Sequence, residues 1–184
     1  MDEREAIARL KRGDVNGLEV LVRAYQLKAT RAADLIVRDQ ALAEDIVAEA
    51  FLRVCERIEQ FDASRSFGPW FLRCVVNAAR AAANRRNRCV LLSDEVDLEQ
   101  VVASQVPGPE ALAENADLRD AVWTALGKLS PMQRAAIVQR YYLGLSEHEM
   151  AIEARRSPGT IKWRLCRARE RLRHWLRPLE GSIR

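Results

Sequence analysis

The stretch SPGTIKWRLCRARERLRHW, residues 157–175, decides how the C-terminal half of this chain folds. Ile161, Leu165, Ala168, Leu172 and Leu176 recur at steps of three and four, so at 100° per residue they share one helix face. Trp163 lies roughly 200° around the wheel from Ile161, with Cys166, Arg167 and Glu170 beside it. Lys162, Arg164, Arg169, Arg171 and Arg173 fill the flanks. Ser157 is suited to cap the helix and Pro158 to occupy its first position. A basic outer face is often only a solvated face. An outward tryptophan is harder to explain without a partner.

Working upstream, two more helix starts follow the same logic. Ser130-Pro131-Met132-Gln133 and Ser146-Glu147-His148-Glu149 each read as a capping box. Gly144 ends the helix of RAAIVQRYYLG, and only about ten residues separate the second start from the third. A short helix, a tight turn and a longer basic helix make a helix-turn-helix, whose second helix enters the major groove. Lys162, Trp163, Arg164, Cys166 and Arg167 would then meet base edges. Trp163 would pack against thymine methyls while its cationic neighbours take phosphates or guanine.

The N-terminal half reads as four helices, at about 2–11, 15–37, 40–60 and from Trp70 onward. Val15, Leu18, Leu21, Val22 and Tyr25 line the second; Val47, Phe51, Val54 and Ile58 line the third, with Phe61 just beyond. The third helix turns Glu44, Asp45, Glu49, Glu56 and Glu59 outward, a strip suited to a basic partner or simply to water. In the loop FDASRSFGPW, residues 61–70, Gly68-Pro69 is a turn signal. Beyond it Arg73, Asn77, Arg80 and Asn84 form one polar stripe that continues into Arg85, Arg86 and Arg88. Asparagine pairs with base edges and arginine holds phosphate. Aromatic rings beside such a stripe either stack on unpaired bases or complete the core, and for Phe67 and Trp70 both readings stand.

Charge is blocked along the chain. Residues 62–92 hold six Lys and Arg against one acidic residue, residues 93–122 one against eight, and residues 123–184 thirteen against five. Two basic blocks around an acidic one suggest two nucleic-acid contacts bridged by a segment that avoids DNA. The acidic segment carries Pro107-Gly108-Pro109 and is the expected linker. With 48% hydrophobic and 30% charged residues, sparse glycine and no hairpin signal, the fold class is all-α: two small helical domains on a flexible acidic linker. The N-terminus is charged and amphipathic, unlike a signal peptide, and no apolar run reaches the ~18 residues of a membrane span, so a cytoplasmic protein is expected. Cys55, Cys74, Cys89 and Cys166 are too widely spaced for a CxxC site, and Cys55 and Cys74 fall on apolar faces. No phosphate loop, nucleophile elbow or HExxH occurs, so neither an enzyme nor a metal or other cofactor is expected.

In this order, ALAEDIVAEAFLRVCERIEQFD, FGPWFLRCVVNAAR, LGKLSPMQRAAIVQRYYLGLSEHEMA and SPGTIKWRLCRARERL resemble the extracytoplasmic-function (ECF) subgroup of the sigma-70 family of bacterial RNA polymerase sigma factors. The resemblance covers nearly the whole chain. It implies a region-2 domain at 1–88, a linker at 89–116 and a region-4 helix-turn-helix at 117–178. Asp45, Glu49, Phe51 and Arg53 would bind the polymerase, the acidic helix docking on its β′ coiled coil, and the β flap is a further expected contact of the core enzyme. Asp62, Ser64, Arg65, Ser66 and Phe67, with Asn77, Arg80, Arg85 and Arg86, would capture the melted strand of the −10 element. Arg155, Arg156, Thr160, Lys162, Trp163, Arg164, Cys166 and Arg167 would read the −35 element as duplex. The acidic linker would thread toward the RNA exit path. A cognate anti-sigma factor, often membrane-anchored, would hold such a protein inactive at the inner membrane face, and no small-molecule substrate is implied. The chain departs from the family pattern at Ala154-Arg155-Arg156, where a small or glycine-containing turn is usual, and at Trp163, where serine is frequent.

Two other functions fit parts of this pattern. A helix-turn-helix regulator working without polymerase would bind duplex DNA and have no use for Asn77. A mimic that only sequesters an anti-sigma factor would need the docking surfaces but not Lys162, Arg164 or Arg167, which this chain retains.

Overall fold

The computed structural model describes residues 2–92 and 116–177, all of whose regular elements are helical. The helices are α1 (Glu3–Lys11), α2 (Asn16–Val37), α3 (Gln40–Arg57), α4 (Phe67–Leu92), α5 (Ala116–Gly127), α6 (Pro131–Ile137), α7 (Glu147–Ala154) and α8 (Pro158–Leu176). A 3-10 turn at Ile58–Gln60 follows α3, and a π turn at Val138–Tyr142 follows α6. The chain divides into two compact units, Met1–Ala82 and Ala83–Arg184, with α4 running through the division.

In the first unit the expected seam of α3 is buried: Val47, Phe51, Val54 and Ile58 are all at most 6% exposed, and Phe61 joins them. These side chains meet a cluster of rings. Phe71 stands 4.3 Å from Phe51 and 5.6 Å from Phe67, and Phe61 lies 5.0 Å from Trp70. Such ring pairs contribute about 0.5–1.5 kcal/mol each beyond their burial. The α1–α2 contact is close because Gly17 lacks a side chain; a Cβ there would stand 2.2 Å from the Ala6 carbonyl oxygen.

Four expectations need correction here. The fourth helix opens at Phe67, not Trp70, because Pro69 falls in its first turn, where no intrahelical N–H partner is required. Of the linker assigned to 89–116, residues 89–92 continue α4 and Ala116 opens α5; residues 93–115 lie outside the described residues, as does the side chain of Arg88. Val15 precedes α2 and is 68% exposed, so it leaves the seam assigned to it. Cys74 is exposed and Cys55 half-buried; neither is a core thiol, and Cys89 is outside the described side chains.

In the second unit Ile161, Leu165 and Ala168 are buried and Leu172 and Leu176 half-buried, so the α8 seam is as the sequence predicts. Helix α8 packs on α5, α6 and α7, and Leu126, Leu129, Val138 and Met150 are buried in the same unit. Both capping boxes form, and Ser157 accepts the Thr160 N–H at 3.2 Å. Gly144, at φ +76°, ends the π turn. Among the described residues no helix is long and apolar enough to cross a membrane, and no group of His, Cys, Asp or Glu is placed to hold a metal ion.

Candidate nucleic-acid interface

The seam of α8 faces its own unit, which turns the opposite face to solvent. Trp163 is 63% exposed, and Lys162, Cys166 and Arg167 are exposed around it. Arg167 is held in place from both sides along the helix. Its guanidinium lies 5.9 Å from the centre of the Trp163 ring, four residues back, and donates to Glu170, three residues on, at 3.2 Å. Both partners are near neighbours on a helix surface. Arg164 is half-buried, and the Thr160 hydroxyl sits 2.9 Å from that of Ser157 rather than turning fully outward.

The turn between α7 and α8 closes without glycine. Arg155 takes the left-handed conformation at φ +49°, its N–H bonding to the Ile152 carbonyl, while the Arg156 N–H bonds to that of Ala151. This is a Schellman closure. The two exposed arginines, with His148 and Thr160, line a concavity in which a phosphate would find several donors. A left-handed residue with a Cβ is strained by about 1–2 kcal/mol. Arg155→Gly is therefore expected to raise the unfolding free energy of this unit by about 0.5–1 kcal/mol in urea titration. The same variant loses a cation and is expected to bind duplex DNA more weakly, with a shallower salt dependence. Falling stability would show that the arginine side chain holds the turn.

In the first unit the loop before α4 is pre-shaped. The Asp62 carboxylate accepts the Ser64 hydroxyl at 2.7 Å and the Ser64 N–H at 3.0 Å, and Arg65 stands 3.4 Å from it. The Ser64 hydroxyl, its N–H and then Arg65 hold the Asp62 carboxyl below its ordinary pKa. Asp62, Ser64, Arg65 and Ser66 are all exposed. Phe67 is not. It is wholly buried between Tyr25, Phe61 and Phe71, so it supports the loop from beneath and is unable to stack on a base. Trp70 is half-buried against Phe61 and Phe67. Asn77 and Arg80 are half-buried and Arg85 and Arg86 exposed further along α4. Asn77 lies ten residues into the helix, about 15 Å along it from its start.

On α3, Asp45, Glu49 and Arg53 are exposed, the last two paired at 2.6 Å. Phe51 is 6% exposed and faces Phe71, so it braces the helix from inside and is no contact residue. The periodicity that put Phe51 in the seam already pointed inward. Sequence reasoning missed Leu52, which is 63% exposed amid Asp45, Glu49, Glu56 and Glu59. An apolar residue on an acidic face was the available signal.

The sequence matches the family model for sigma-70 region 2 over residues 21–89 and that for sigma-70 region 4 over residues 119–172. It is 30% identical over 183 residues to the ECF RNA polymerase sigma factor SigW of Bacillus subtilis, covering 96% of this chain and 97% of that one. It is 28% identical over 186 residues to the RNA polymerase sigma-H factor of Pseudomonas aeruginosa, covering 96% and 95%. The structure of the sigma factor RpoE in complex with the anti-sigma factor NepR from Bartonella quintana is similar, with a TM-score of 0.67 at 26% identity, covering 86% of this chain and 96% of that one. With likeness running through both units, the chain belongs to the ECF subgroup of the sigma-70 family of RNA polymerase sigma factors.

Proposed function

We propose that this chain binds core RNA polymerase and directs it to specific promoters, reading the −35 element as duplex and the −10 element as melted strand. The observation that carries the reading is the outer face of α8, where Trp163, Lys162 and Arg167 stand exposed opposite a buried seam on the second helix of a helix-turn-helix. Arg155 and Arg156 take the flanking phosphates. Asp62, Ser64, Arg65 and Ser66, with Asn77 and Arg80, receive the unpaired strand, and Arg85 and Arg86 hold its backbone. The protein performs no chemistry itself; it supplies promoter affinity and stabilises opened DNA for the polymerase.

Docking on the β′ coiled coil uses Asp45, Glu49 and Arg53, with Leu52 as the apolar centre of that strip. A second groove, lined by Ile137, Tyr141, Leu172 and Leu176 with Arg169 and Arg173, suits a helix of the β flap that carries acidic residues beside its apolar ones. An anti-sigma factor covering these same surfaces would keep the protein inactive in the cytoplasm; the similar RpoE is in complex with the anti-sigma factor NepR, which supports a partner of that kind. The domain limits 1–88 and 117–178 are retained in this reading, with α4 extending to Leu92.

Run-off transcription with purified core polymerase on a genome-wide promoter panel, with and without the chain, tests the function. Stimulation at a defined set of promoters is expected; equal transcription with and without it would end the proposal. Leu52→Ala is expected to weaken polymerase binding about tenfold, ~1.4 kcal/mol, in a fluorescence titration. Unchanged affinity would remove Leu52 from the interface.

A further inference from the structure

Helix α1 has no part in the functions described so far, yet two of its charged side chains reach the ends of the loop that precedes α4. Lys11 donates through Nζ to the Phe61 carbonyl at 2.8 Å. Glu3 accepts the Phe67 N–H at 3.4 Å through Oε1, and its Oε2 takes the Tyr25 hydroxyl. Phe61 and Phe67 bracket residues 62–66, so one helix grips both the entry and the exit of the loop. Eight residues separate Glu3 from Lys11, a rise of about 12 Å along a helix, and that spacing is rigid.

The anchors themselves are fixed. α1 packs on α2 and on the 3-10 turn that leads into the loop. The Phe67 N–H is among the first donors of α4, which no intrahelical carbonyl satisfies, and a carboxylate also suits the positive end of that helix. Tyr25 lies against Phe67 at 5.6 Å between ring centres, and Gly68 gives it room: a Cβ there would fall 2.6 Å from the tyrosine ring. Burial first, then the bond to Glu3, pushes the Tyr25 hydroxyl up to about 12, so it remains a donor at any physiological pH. By contrast, the exposed loop residues bond chiefly to one another through Asp62. The loop thus has internal shape, while α1 sets the distance between its ends.

We propose that Glu3 and Lys11 are positioning residues: α1 clamps the two ends of loop 62–66 at the separation at which it receives an unpaired promoter base. The clamp rests on the strand-capturing role proposed above for that loop. Neither residue touches DNA; each acts through the backbone group that it holds.

The test uses holoenzyme assembled from core polymerase and the full chain, with a promoter taken from the run-off panel. Two probes are titrated: that promoter with its −10 region pre-melted as a bubble, and a duplex fragment carrying only the −35 element. Lys11→Met and Glu3→Gln are each expected to weaken bubble binding about fivefold to tenfold and leave the −35 duplex unchanged. Lys11→Arg, which still donates to a carbonyl, should restore most of the loss. Tyr25→Phe, which keeps the ring but frees one side of Glu3, should lose less in the same direction. Because opening either end releases the loop, the double variant should lose little more than either single one. A merely stabilising role would instead lower the melting temperature and weaken both probes together, and that result overturns the clamp, as does bubble binding unchanged in every variant. If wild-type holoenzyme fails to prefer the bubble, the strand-capturing role itself falls, and the clamp with it.

Discussion

Phe71→Ala is expected to cost the N-terminal unit about 3–5 kcal/mol, the largest loss anticipated for any single truncation in it. The side chain is wholly buried and central to the ring cluster, 4.3 Å from Phe51, 5.6 Å from Phe67 and 6.3 Å from Tyr25. Its removal leaves a void walled by rings on three helices, and packed aromatic neighbours collapse poorly into such a space. Against the ~5–15 kcal/mol of stability usual for a domain, the loss takes much of the margin. Urea unfolding followed by circular dichroism measures it. Phe71→Leu keeps most of the volume and should cost under about 1.5 kcal/mol. A loss below about 1 kcal/mol for the alanine variant would mean that the cluster closes over the gap. The functional consequence runs through Phe51. Its ring braces α3 from beneath, so a loosened cluster should also weaken the polymerase docking proposed for the outer face of that helix.

That cluster marks the limit of what the sequence discloses. The seam of α8 was legible because an apolar period of 3.6 and a local cap, Ser157, report the same helix. The capping boxes at Ser130 and Ser146 were legible for the same reason: donor and acceptor lie three residues apart. Gly68-Pro69 misled because its turn signal and its fitness for a first helical turn are the same chemistry, and the reason for a glycine at 68 is room for Tyr25, more than forty residues away in sequence. The inward direction of Phe67 is likewise decided by Tyr25, Phe61 and Phe71 together. No local pattern announces that Glu3 meets the Phe67 N–H or that Lys11 meets the Phe61 carbonyl, since these pairs are 64 and 50 residues apart. The left-handed Arg155 is a further case. A glycine would have advertised the turn; an arginine there sacrifices local stability and places a cation at the mouth of the helix-turn-helix.

The same trade between local pairing and proposed DNA contact makes Arg167 the most informative residue of the proposed reading face. Arg167→Ala is expected to reduce affinity for a −35 duplex by about 1–3 kcal/mol and to relax base preference at one position. In the free protein its guanidinium pairs with Glu170 at 3.2 Å and lies over Trp163, both on an exposed surface. A surface ion pair of this kind is worth about 0–1 kcal/mol, less than a bidentate contact to guanine, so DNA is able to take the arginine from Glu170. Truncating Arg167 also leaves the Glu170 carboxylate uncompensated near phosphate, and that repulsion inflates the apparent loss. Glu170→Gln removes the confusion. If Arg167 reads a base, the double variant Arg167→Ala/Glu170→Gln keeps most of the deficit and the relaxed preference. If Arg167 only neutralises Glu170, the double variant recovers wild-type affinity. A uniform loss over all sequences, with the salt slope reduced by about one, would make Arg167 a phosphate contact and leave Trp163 and Lys162 as the reading residues of α8.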